Sequence, residues 1–284
     1  LDEYYFGSNL MAYILPQNDK QKLVRVKIEP PTGKPETITE GIYGRKAVMD
    51  GINDAKNKIE NENPDKIITI GGNCLVSLAP FDYLHGLYDN AGIIWIDAHP
   101  DVSSPKDGYP NAHAMVLRTL LGDGEPSLSN LMKNGAFASH EILYVGLQEL
   151  HDYQQAYLDK KGVNYKVQTN GFLSLDEIKN FAKRFSHVLV HFDIDVLDEH
   201  YFHSTYFANP ELVGDGSGGG KMKMEQLTDI LTNIQDCSNI AGFTVAEYLP
   251  FDEYRLHKMF SKLHLLTEKI PTTLNTNKSR ANCF

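Results

Sequence analysis

Short apolar runs alternate along the chain with longer amphipathic stretches. The runs are rich in Ile, Val and Leu, and several are apolar on both faces, as in strands that helices cover on each side. They predict β-strands at residues 10–14, 23–28, 67–70, 93–97, 142–145, 187–193 and 240–247.

Helical patterns lie between these runs. Ser174-Leu-Asp-Glu177 has the spacing of a capping box, in which two side chains satisfy backbone N–H groups at the start of a helix, and the helix is predicted to run through Phe185. Further helices are predicted at residues 43–60, 222–234 and 253–268. Strands that alternate with helices favour an α/β fold, a three-layer sandwich with a central parallel sheet.

The length of the chain, 284 residues, allows a substantial core, and α/β folds of this size commonly form one domain. The glycine-rich stretch 214–220 is short for a domain linker, and it lacks the Gly-Lys-Ser/Thr of a phosphate-binding loop. We therefore predict a single domain over residues 1–284, with a loop at 214–220.

Acidic residues outnumber basic ones, and the formal net charge is −10. The 27 Lys and Arg residues form no conspicuous run, which argues against nucleic acid or an anionic membrane as the main partner. The 3 cysteines include no C-x-x-C pair and favour neither a disulfide framework nor a zinc knuckle. The sequence has no apolar run of membrane-spanning length and no signal-peptide pattern, so we expect a soluble, cytoplasmic protein.

Two acidic clusters each close an apolar run. Asp97, His99 and Asp101 follow one run, and Asp193 and Asp195 follow another. Because side chains alternate between the faces of an extended chain, the members of each cluster can point the same way. Carboxylates that converge at the ends of buried strands repel one another unless cations neutralise them, which favours a site for one or two divalent metals. The alternative is that these acids cap helices or form turns.

Two further segments reach the same side of the predicted sheet. The turn 71–74 follows the strand 67–70, and Glu247 ends the last strand. In parallel α/β sheets, ligands bind outside the carboxyl ends of the strands. Four separate segments therefore point to one crevice, which favours a catalytic site.

These motifs resemble a known family, the arginase/agmatinase (ureohydrolase) superfamily. Its pattern is a GGDH turn, a DAHxD cluster, an N-x-HG segment, a D-x-D-x-x-D segment and a late E-x-x-P. The chain has, in the same order, Gly71-Gly-Asn-Cys74, Asp97-Ala-His-Pro-Asp101, Asn111-Ala-His-Ala114, Asp193-Ile-Asp-Val-Leu-Asp198 and Glu247-Tyr-Leu-Pro250. The resemblance covers about residues 40 to 270 and implies an arginase-like fold.

The resemblance also implies a binuclear metal centre. Asp97 and Asp193 would bridge two metals, Asp101 would complete one, and His99 with Asp195 would complete the other. The usual metal of the family is Mn²⁺, which suits carboxylate and imidazole ligands. Two such cations share a bridging water and lower its pKa towards neutrality, so that hydroxide attacks the carbon of a guanidinium or similar amidine.

The resemblance assigns two further residues to catalysis. Glu247 would hold the small cationic substrate by charge-assisted hydrogen bonds, and His113 would shuttle protons to the leaving amine. Read from the residues alone, Glu247 would instead be a surface acid at the end of a strand, and His113 would be a histidine at the start of a helix. Members of the family commonly form homotrimers or homohexamers, and the same is expected here.

Three departures from the family pattern limit what can be carried over. Cys74 stands where the family has a histidine ligand, and Asn73 replaces the aspartate before it. A thiolate suits manganese poorly, so the metal at the position of Cys74 would be weakly held, replaced by zinc or iron, or absent. Alternatively, Cys74 is a buried small apolar residue. Ser103 stands where arginases read the substrate carboxylate with an asparagine.

Two functions therefore remain. The first is a hydrolase of a guanidino or formimidoyl C–N bond, with agmatine, guanidinobutyrate and formimidoylglutamate as candidate substrates in place of arginine. The second is a degenerate, non-catalytic protein of the same fold, with a weakened or empty metal site.

Overall fold

A parallel sheet of five strands forms the centre of the computed structural model, which describes residues 2–16, 18–209, 211 and 217–263. Ile and Val recur in its strands, because branched side chains pack well on a pleated surface. A separate antiparallel pair precedes the sheet in the chain. In chain order the strands are β1 (Ile38–Thr39), β2 (Ile42–Tyr43), β3 (Ile67–Ile70), β4 (Ala91–Ile96), β5 (Ile142–Val145), β6 (His187–Asp193) and β7 (Ile240–Ala246).

The strand order in the sheet is β3-β7-β6-β4-β5, and every neighbouring pair is parallel. Parallel pairing brings the carboxyl ends of all the strands to one edge. Trp95 on β4 lies opposite His191 on β6, and Asp193 at the end of β6 lies opposite Ala246 at the end of β7. The residues that follow β3, β4, β6 and β7 are therefore neighbours in space.

Helices connect the strands, because parallel neighbours need crossover connections. Short 3-10 turns carry several residues of interest, at Cys74–Ser77, Ala112–Met115 and Ile194–Val196. The helices around the sheet are α1 (Asp2–Ile14), α2 (Arg45–Glu62), α3 (Leu78–Leu87), α4 (Val116–Leu120), α5 (Pro126–Ser129), α6 (Asp152–Lys161), α7 (Leu175–Ala182) and α8 (Met224–Cys237).

Alternating side chains of the sheet build two separate cores. On β4, Ile93 and Trp95 belong to a buried cluster that includes side chains from α2 to α6. Ile94 and Ile96 belong to a second buried cluster, with side chains from α7 and α8. Helices thus cover both faces of the sheet, and the predicted three-layer α/β sandwich is confirmed.

The chain divides into two compact units, Leu1–Pro250 and Phe251–Phe284. The sheet and helices α1 to α8 belong to the first unit. Of the second unit the structure describes residues 251–263, which include α9 (Phe251–Phe260). The single domain expected over residues 1–284 stays a prediction.

Two of the predicted strands are wrong. Residues 10–14 lie in α1, because a short apolar run of good helix formers cannot be told from a strand by its pattern. Residues 23–28 form neither helix nor strand, and Leu23 remains 73% exposed. The N–H of Lys27 donates to Asp54 Oδ2 on α2 (2.6 Å), so this segment contacts a helix and does not pair with an edge strand of the sheet. The other five predicted strands are confirmed to within two residues at each end.

The predicted capping box is confirmed. Ser174 Oγ accepts the N–H of Glu177 (3.2 Å), and Glu177 accepts the N–H of Ser174 (2.7 Å), but the helix ends at Ala182 rather than Phe185. Helices α2, α8 and α9 overlap their predicted ranges. Residues 264–268 of the last helix and 214–216 of the predicted loop lie outside the described residues. None of the described helices combines the length and apolar character needed to cross a membrane.

Candidate metal centre

Strand β4 brings Asp97 to the carboxyl edge of the sheet. Asp97 lies two residues after Trp95, so the two side chains share a face of the strand. Trp95 Nε1 donates to Asp97 Oδ2 (2.9 Å), and the backbone N–H of His99 donates to Asp97 Oδ1 (2.6 Å). The carboxyl group is fully buried. Both of its oxygens are therefore held in place by neighbouring donors.

Strand β6 places Asp193 beside it. Asp193 is the last residue of β6 and caps the turn Ile194–Val196, because its Oδ1 accepts the N–H of Asp195 (2.6 Å). Its Oδ2 accepts a hydrogen bond from Cys74 Sγ (2.9 Å). Asp193 and Asp195 are both buried. One strand end therefore holds two carboxyl groups.

The turn after β3 supplies the thiol. A side chain at Gly71 would approach Val76 Cγ2 to 2.3 Å, so this tight turn requires glycine. Cys74 is 3% exposed, and its Sγ also lies 3.7 Å from Glu247 Oε1. The thiol is thus enclosed among acidic groups.

Glu247 follows β7 in a left-handed conformation with a φ of 62°, which is uncommon for a residue other than glycine. Its N–H donates to the carbonyl of Gly72 (2.7 Å), which ties the end of β7 to the turn after β3. Its buried carboxyl group accepts a hydrogen bond from the hydroxyl of Tyr4 on α1. Tyr4 is absent from the predicted site, since no local pattern connects two residues that lie 243 positions apart.

Two groups of candidate ligand atoms in this crevice share Asp97. Within each group, every ligand atom lies within 4.8 Å of every other. In the group that contains His99, the Nδ1 atom of this residue lies 3.2 Å from Asp195 Oδ2. A carboxylate has two oxygens and can contact two cations, so the shared Asp97 suits a binuclear site. We name them the cysteine cluster (Cys74, Asp97, His191 and Asp193) and the His99 cluster (Asp97, His99 and Asp195).

Burial dominates the electrostatics of these carboxyl groups. Burial, and after it the charge of Asp195, raises the pKa of Asp97 to about 7. Burial also raises the pKa values of Asp101 and Asp193 well above their usual range, and it raises the pKa of Glu247 to about 8. The crevice therefore favours protonated acids, and a cation held there would reverse this preference.

One ion pair lies inside the His99 cluster. Burial opposes the charge on His99, but Asp195 and Asp97 outweigh it and raise the pKa of His99 well above its usual range. Burial likewise opposes the charge on Asp195, but His99 outweighs it and lowers the pKa of Asp195. A metal bound by both side chains would replace the proton that they now share in this pair.

His191 is absent from the predicted ligands, yet it belongs to the cysteine cluster. It lies two residues before Asp193 on β6, stacks on Trp95 with ring centroids 3.6 Å apart, and places Nε2 3.9 Å from Asp97 Oδ2. Burial lowers the pKa of His191 to about 3, so its ring is neutral. The sequence signal that could have identified His191 is its spacing of two residues from Asp193, because alternate residues of a strand share a face.

Three buried polar atoms in this crevice have no hydrogen-bond partner among the described residues: Asp101 Oδ2, Asp195 Oδ1 and His191 Nε2. Unpaired buried polar atoms cost free energy, so their presence together indicates a site that binds an ion. Thiol, imidazole and carboxylate are the ligands that divalent transition metals use in proteins. The residues present therefore fit a metal.

The structure brings most of the predicted site residues together. Asp101 is buried near the two clusters without belonging to either, and its backbone has a φ of 49°. His113 lies half-buried in the turn Ala112–Met115, edge-on to Tyr109 with centroids 6.2 Å apart, and it also belongs to neither cluster. The predicted residues that the clusters contain are Cys74, Asp97, His99, Asp193 and Asp195.

Comparison with known sequences gives a family match over most of the chain. The model of the Arginase family matches residues 24–262. An arginase of Schizosaccharomyces pombe is 25% identical over 154 residues, which make up 49% of this chain and 46% of that protein. The chain thus spans less than half the length of this relative.

Solved structures share the fold. The arginase of Entamoeba histolytica in complex with L-ornithine has a TM-score of 0.65 at 20% identity, covering 78% of this chain and 75% of that one. A formimidoylglutamase from Bacillus subtilis has a TM-score of 0.53 at 18% identity, covering 74% and 62%. At these identities the likeness concerns the fold alone.

Proposed function

Since this chain belongs to the Arginase family, we propose that it is a metal-dependent hydrolase that cleaves a guanidino or formimidoyl C–N bond of a linear amidine, not a peptide bond. The observation that carries the proposal is the pair of ligand clusters that share the buried carboxyl group of Asp97. Their position outside the carboxyl ends of parallel strands is where such sheets bind ligands.

The two clusters would each hold one divalent cation, with Asp97 common to both. We propose Mn²⁺ for the His99 cluster, because it is the usual metal of the family and carboxylate with imidazole suits it. The buried Asp101 would lie beside the cysteine cluster, whose thiol makes that position less suited to manganese. When bound, the cations supply a water molecule whose pKa is lowered towards neutrality and which serves as the nucleophile.

Glu247 would bind the cationic group of the substrate. Its carboxyl group is buried, and a cation beside it favours the ionised form, which burial otherwise disfavours by raising the pKa to about 8. The ionised group would accept charge-assisted hydrogen bonds from guanidinium or amidinium N–H groups. Tyr4 supports this role, because its hydrogen bond fixes one of the two carboxyl oxygens.

His113 would carry a proton to the leaving amine. An imidazole suits this role because its ordinary pKa lies close to neutrality. Its half-buried position in the turn Ala112–Met115 supports access from the solvent side.

The substrate is proposed to lack the carboxylate contact of arginine. Ser103, at the position of the asparagine that reads this group in arginases, is 1% exposed, and its Oγ lies 3.0 Å from Tyr153 OH. A short hydroxyl that is hydrogen-bonded to a tyrosine supports a substrate other than arginine. Agmatine has no carboxylate, whereas guanidinobutyrate and formimidoylglutamate would need another contact for theirs.

We also propose that the chain acts in the cytoplasm as a homotrimer or homohexamer, as members of the family commonly do. The buried free thiol of Cys74 is consistent with a reducing compartment. Size-exclusion chromatography with light scattering measures the assembly, and a monomer at micromolar concentration would contradict it.

Turnover of these substrates by matched variants tests the proposed function. After loading with Mn²⁺ or Zn²⁺, Asp195→Asn should lose at least about 100-fold in kcat, since it removes a ligand. Asp229→Asn is the control, because it makes the same change on an exposed face of α8. Equal turnover by wild type and Asp195→Asn would contradict the proposal.

One observation favours a second candidate function. Burial, followed by the charges of Asp101 and Asp193, raises the pKa of the Cys74 thiol well above its usual range. A neutral thiol that donates to Asp193 (2.9 Å) is a poor metal ligand and supports a degenerate, non-catalytic protein of the same fold. Its signature is the lack of turnover with every guanidino substrate and divalent metal, and one confirmed activity would exclude it.

A further inference from the structure

The cysteine cluster differs chemically from its neighbour, because it contains a thiol. Tetrahedral zinc, with bonds of about 2.0 to 2.3 Å, places its ligand atoms roughly 3.3 to 3.7 Å apart. The distance from Cys74 Sγ to Asp193 Oδ2 is 2.9 Å, and that from His191 Nε2 to Asp97 Oδ2 is 3.9 Å. These two distances bracket the tetrahedral spacing, so small side-chain movements would accommodate a zinc ion.

Ser77 sets the orientation of the His191 ring. Ser77 Oγ lies 2.8 Å from His191 Nδ1, and the ring stacks on Trp95. When Nδ1 donates its proton to Ser77, the lone pair of Nε2 faces the cluster. Nε2 is buried and has no hydrogen-bond partner in the described part of the chain. Metal-binding histidines are commonly held in this way by a partner on the other ring nitrogen.

We propose that the cysteine cluster is a zinc site in which His191 and Cys74 are ligands, together with its two aspartates, and that Mn²⁺ is confined to the His99 cluster. A thiolate favours Zn²⁺ over Mn²⁺, because it is a soft ligand. Cys74 binds as the thiolate, and its proton is released to solvent. This inference deepens the proposed function, since it rests on the same metal centre, but its test does not require turnover.

Cobalt(II) is the probe, because it enters tetrahedral zinc sites and reports thiolate ligation by a near-ultraviolet charge-transfer band. Chelator-treated wild-type protein titrated with Co²⁺ should develop this band together with intense visible bands of four-coordinate cobalt. Cys74→Ser should lack the charge-transfer band. Equimolar Zn²⁺ should abolish the spectrum, and equimolar Mn²⁺ should leave it unchanged.

Variants of the histidine separate ligation from packing. His191→Gln should weaken Co²⁺ binding and shift the visible bands, while His187→Gln, on the same strand but stacked on Tyr88, should leave them unchanged. Ser77→Ala keeps every ligand and should weaken Co²⁺ binding about 10- to 100-fold. It also decides the role of the imidazole if circular dichroism shows that His191→Gln does not fold.

Cys237→Ser is the control for the thiol, because Cys237 is the other free cysteine of the described residues and lies at the end of α8. It should keep the wild-type spectrum. A wild-type spectrum without the charge-transfer band, or the same band in Cys74→Ser, would overturn the assignment of the thiol. Wild-type affinity in folded His191→Gln would overturn the assignment of the imidazole, and so would wild-type affinity in Ser77→Ala if His191→Gln does not fold.

The same measurements distinguish this inference from the proposed function. Turnover with Mn²⁺ in a protein that lacks the cobalt–thiolate band would refute the zinc site and leave the hydrolase standing. The reverse result, a cobalt–thiolate band with no turnover of any substrate, would support the zinc site and refute the hydrolase.

Discussion

The buried carboxyl group of Asp97 should make the metal-free protein less stable as the pH rises. Burial raises its pKa from an ordinary 3.8 to about 7. A carboxyl group with a higher pKa in the folded state than in the unfolded state contributes stability below pH 4, which is lost as the pH rises through 7. Asp97→Asn removes this titration while nearly preserving the shape of the side chain.

The magnitude follows from the pKa difference. At about 1.36 kcal/mol per pKa unit, the stability lost at full ionisation of Asp97 amounts to about 4 kcal/mol. Of this loss, about 2 to 3 kcal/mol falls between pH 5 and pH 8. The charge of Asp97 also raises the pKa values of Asp101 and Asp193, so the variant should lose part of their pH dependence as well. The substitution gives up one of the two hydrogen bonds that Asp97 accepts, which changes the absolute stability by about 1 kcal/mol without changing its slope with pH.

Urea unfolding at pH 5, 6, 7 and 8 in excess chelator measures this slope. The free energy of unfolding of the wild type should fall between pH 5 and pH 8 by at least about 2 kcal/mol more than that of Asp97→Asn. Asp229→Asn, whose carboxyl group is exposed on α8, should keep the wild-type slope. Equal slopes for wild type and Asp97→Asn would refute the reasoning. Saturating metal should stabilise the wild type more at pH 8 than at pH 5, because the metal binds the ionised carboxylates.

Two further substitutions test how the site is held. Tyr4→Phe removes the hydroxyl that donates to Glu247, so it should lower the free energy of unfolding by about 1 to 2 kcal/mol in urea titrations; unchanged stability would mean that this hydrogen bond does not form. Gly220→Ala would place a Cβ 1.9 Å from the carbonyl oxygen of Val196, beside the turn that carries Asp195. It should destabilise the protein by about 2 kcal/mol or more and weaken metal binding in calorimetric titrations. Gly135→Ala, where nothing lies within 4 Å of the added Cβ, is its control, and equal metal affinity in the two variants would contradict the proposed role of this turn.

The central strands were predictable because their signals are local and strong. The apolar run that ends at Asp97 is continuous, and His191 alone interrupts the run from Val188 to Asp193; a fully buried strand in a parallel sheet needs such a run. The acids that follow them were predictable as one site for the same reason, since parallel strands share a carboxyl edge. The geometry of the two clusters agrees with that expectation for five of the residues named from sequence.

The remaining features depend on contacts that no sequence pattern contains. Residues 23–28 alternate like a strand, but whether a sheet edge accepts them is decided by the rest of the fold. Helix α3 is buried all round over its first five residues and α6 is mostly polar, so neither shows a clear apolar stripe. Tyr4 reaches Glu247 only because α1 packs near the end of β7. His191 is the exception, because its spacing from Asp193 already placed it on the ligand face.

Turnover measured against metal occupancy tests the central claim most directly. Metal-free protein is titrated with Mn²⁺ and Zn²⁺, bound metal is determined by elemental analysis, and product release from guanidino and formimidoyl compounds is followed in the same samples. The account predicts no turnover without metal and a rate that rises with occupancy to a limit at about two ions per chain. Turnover in the metal-free protein, or none at full occupancy with every substrate, would contradict it.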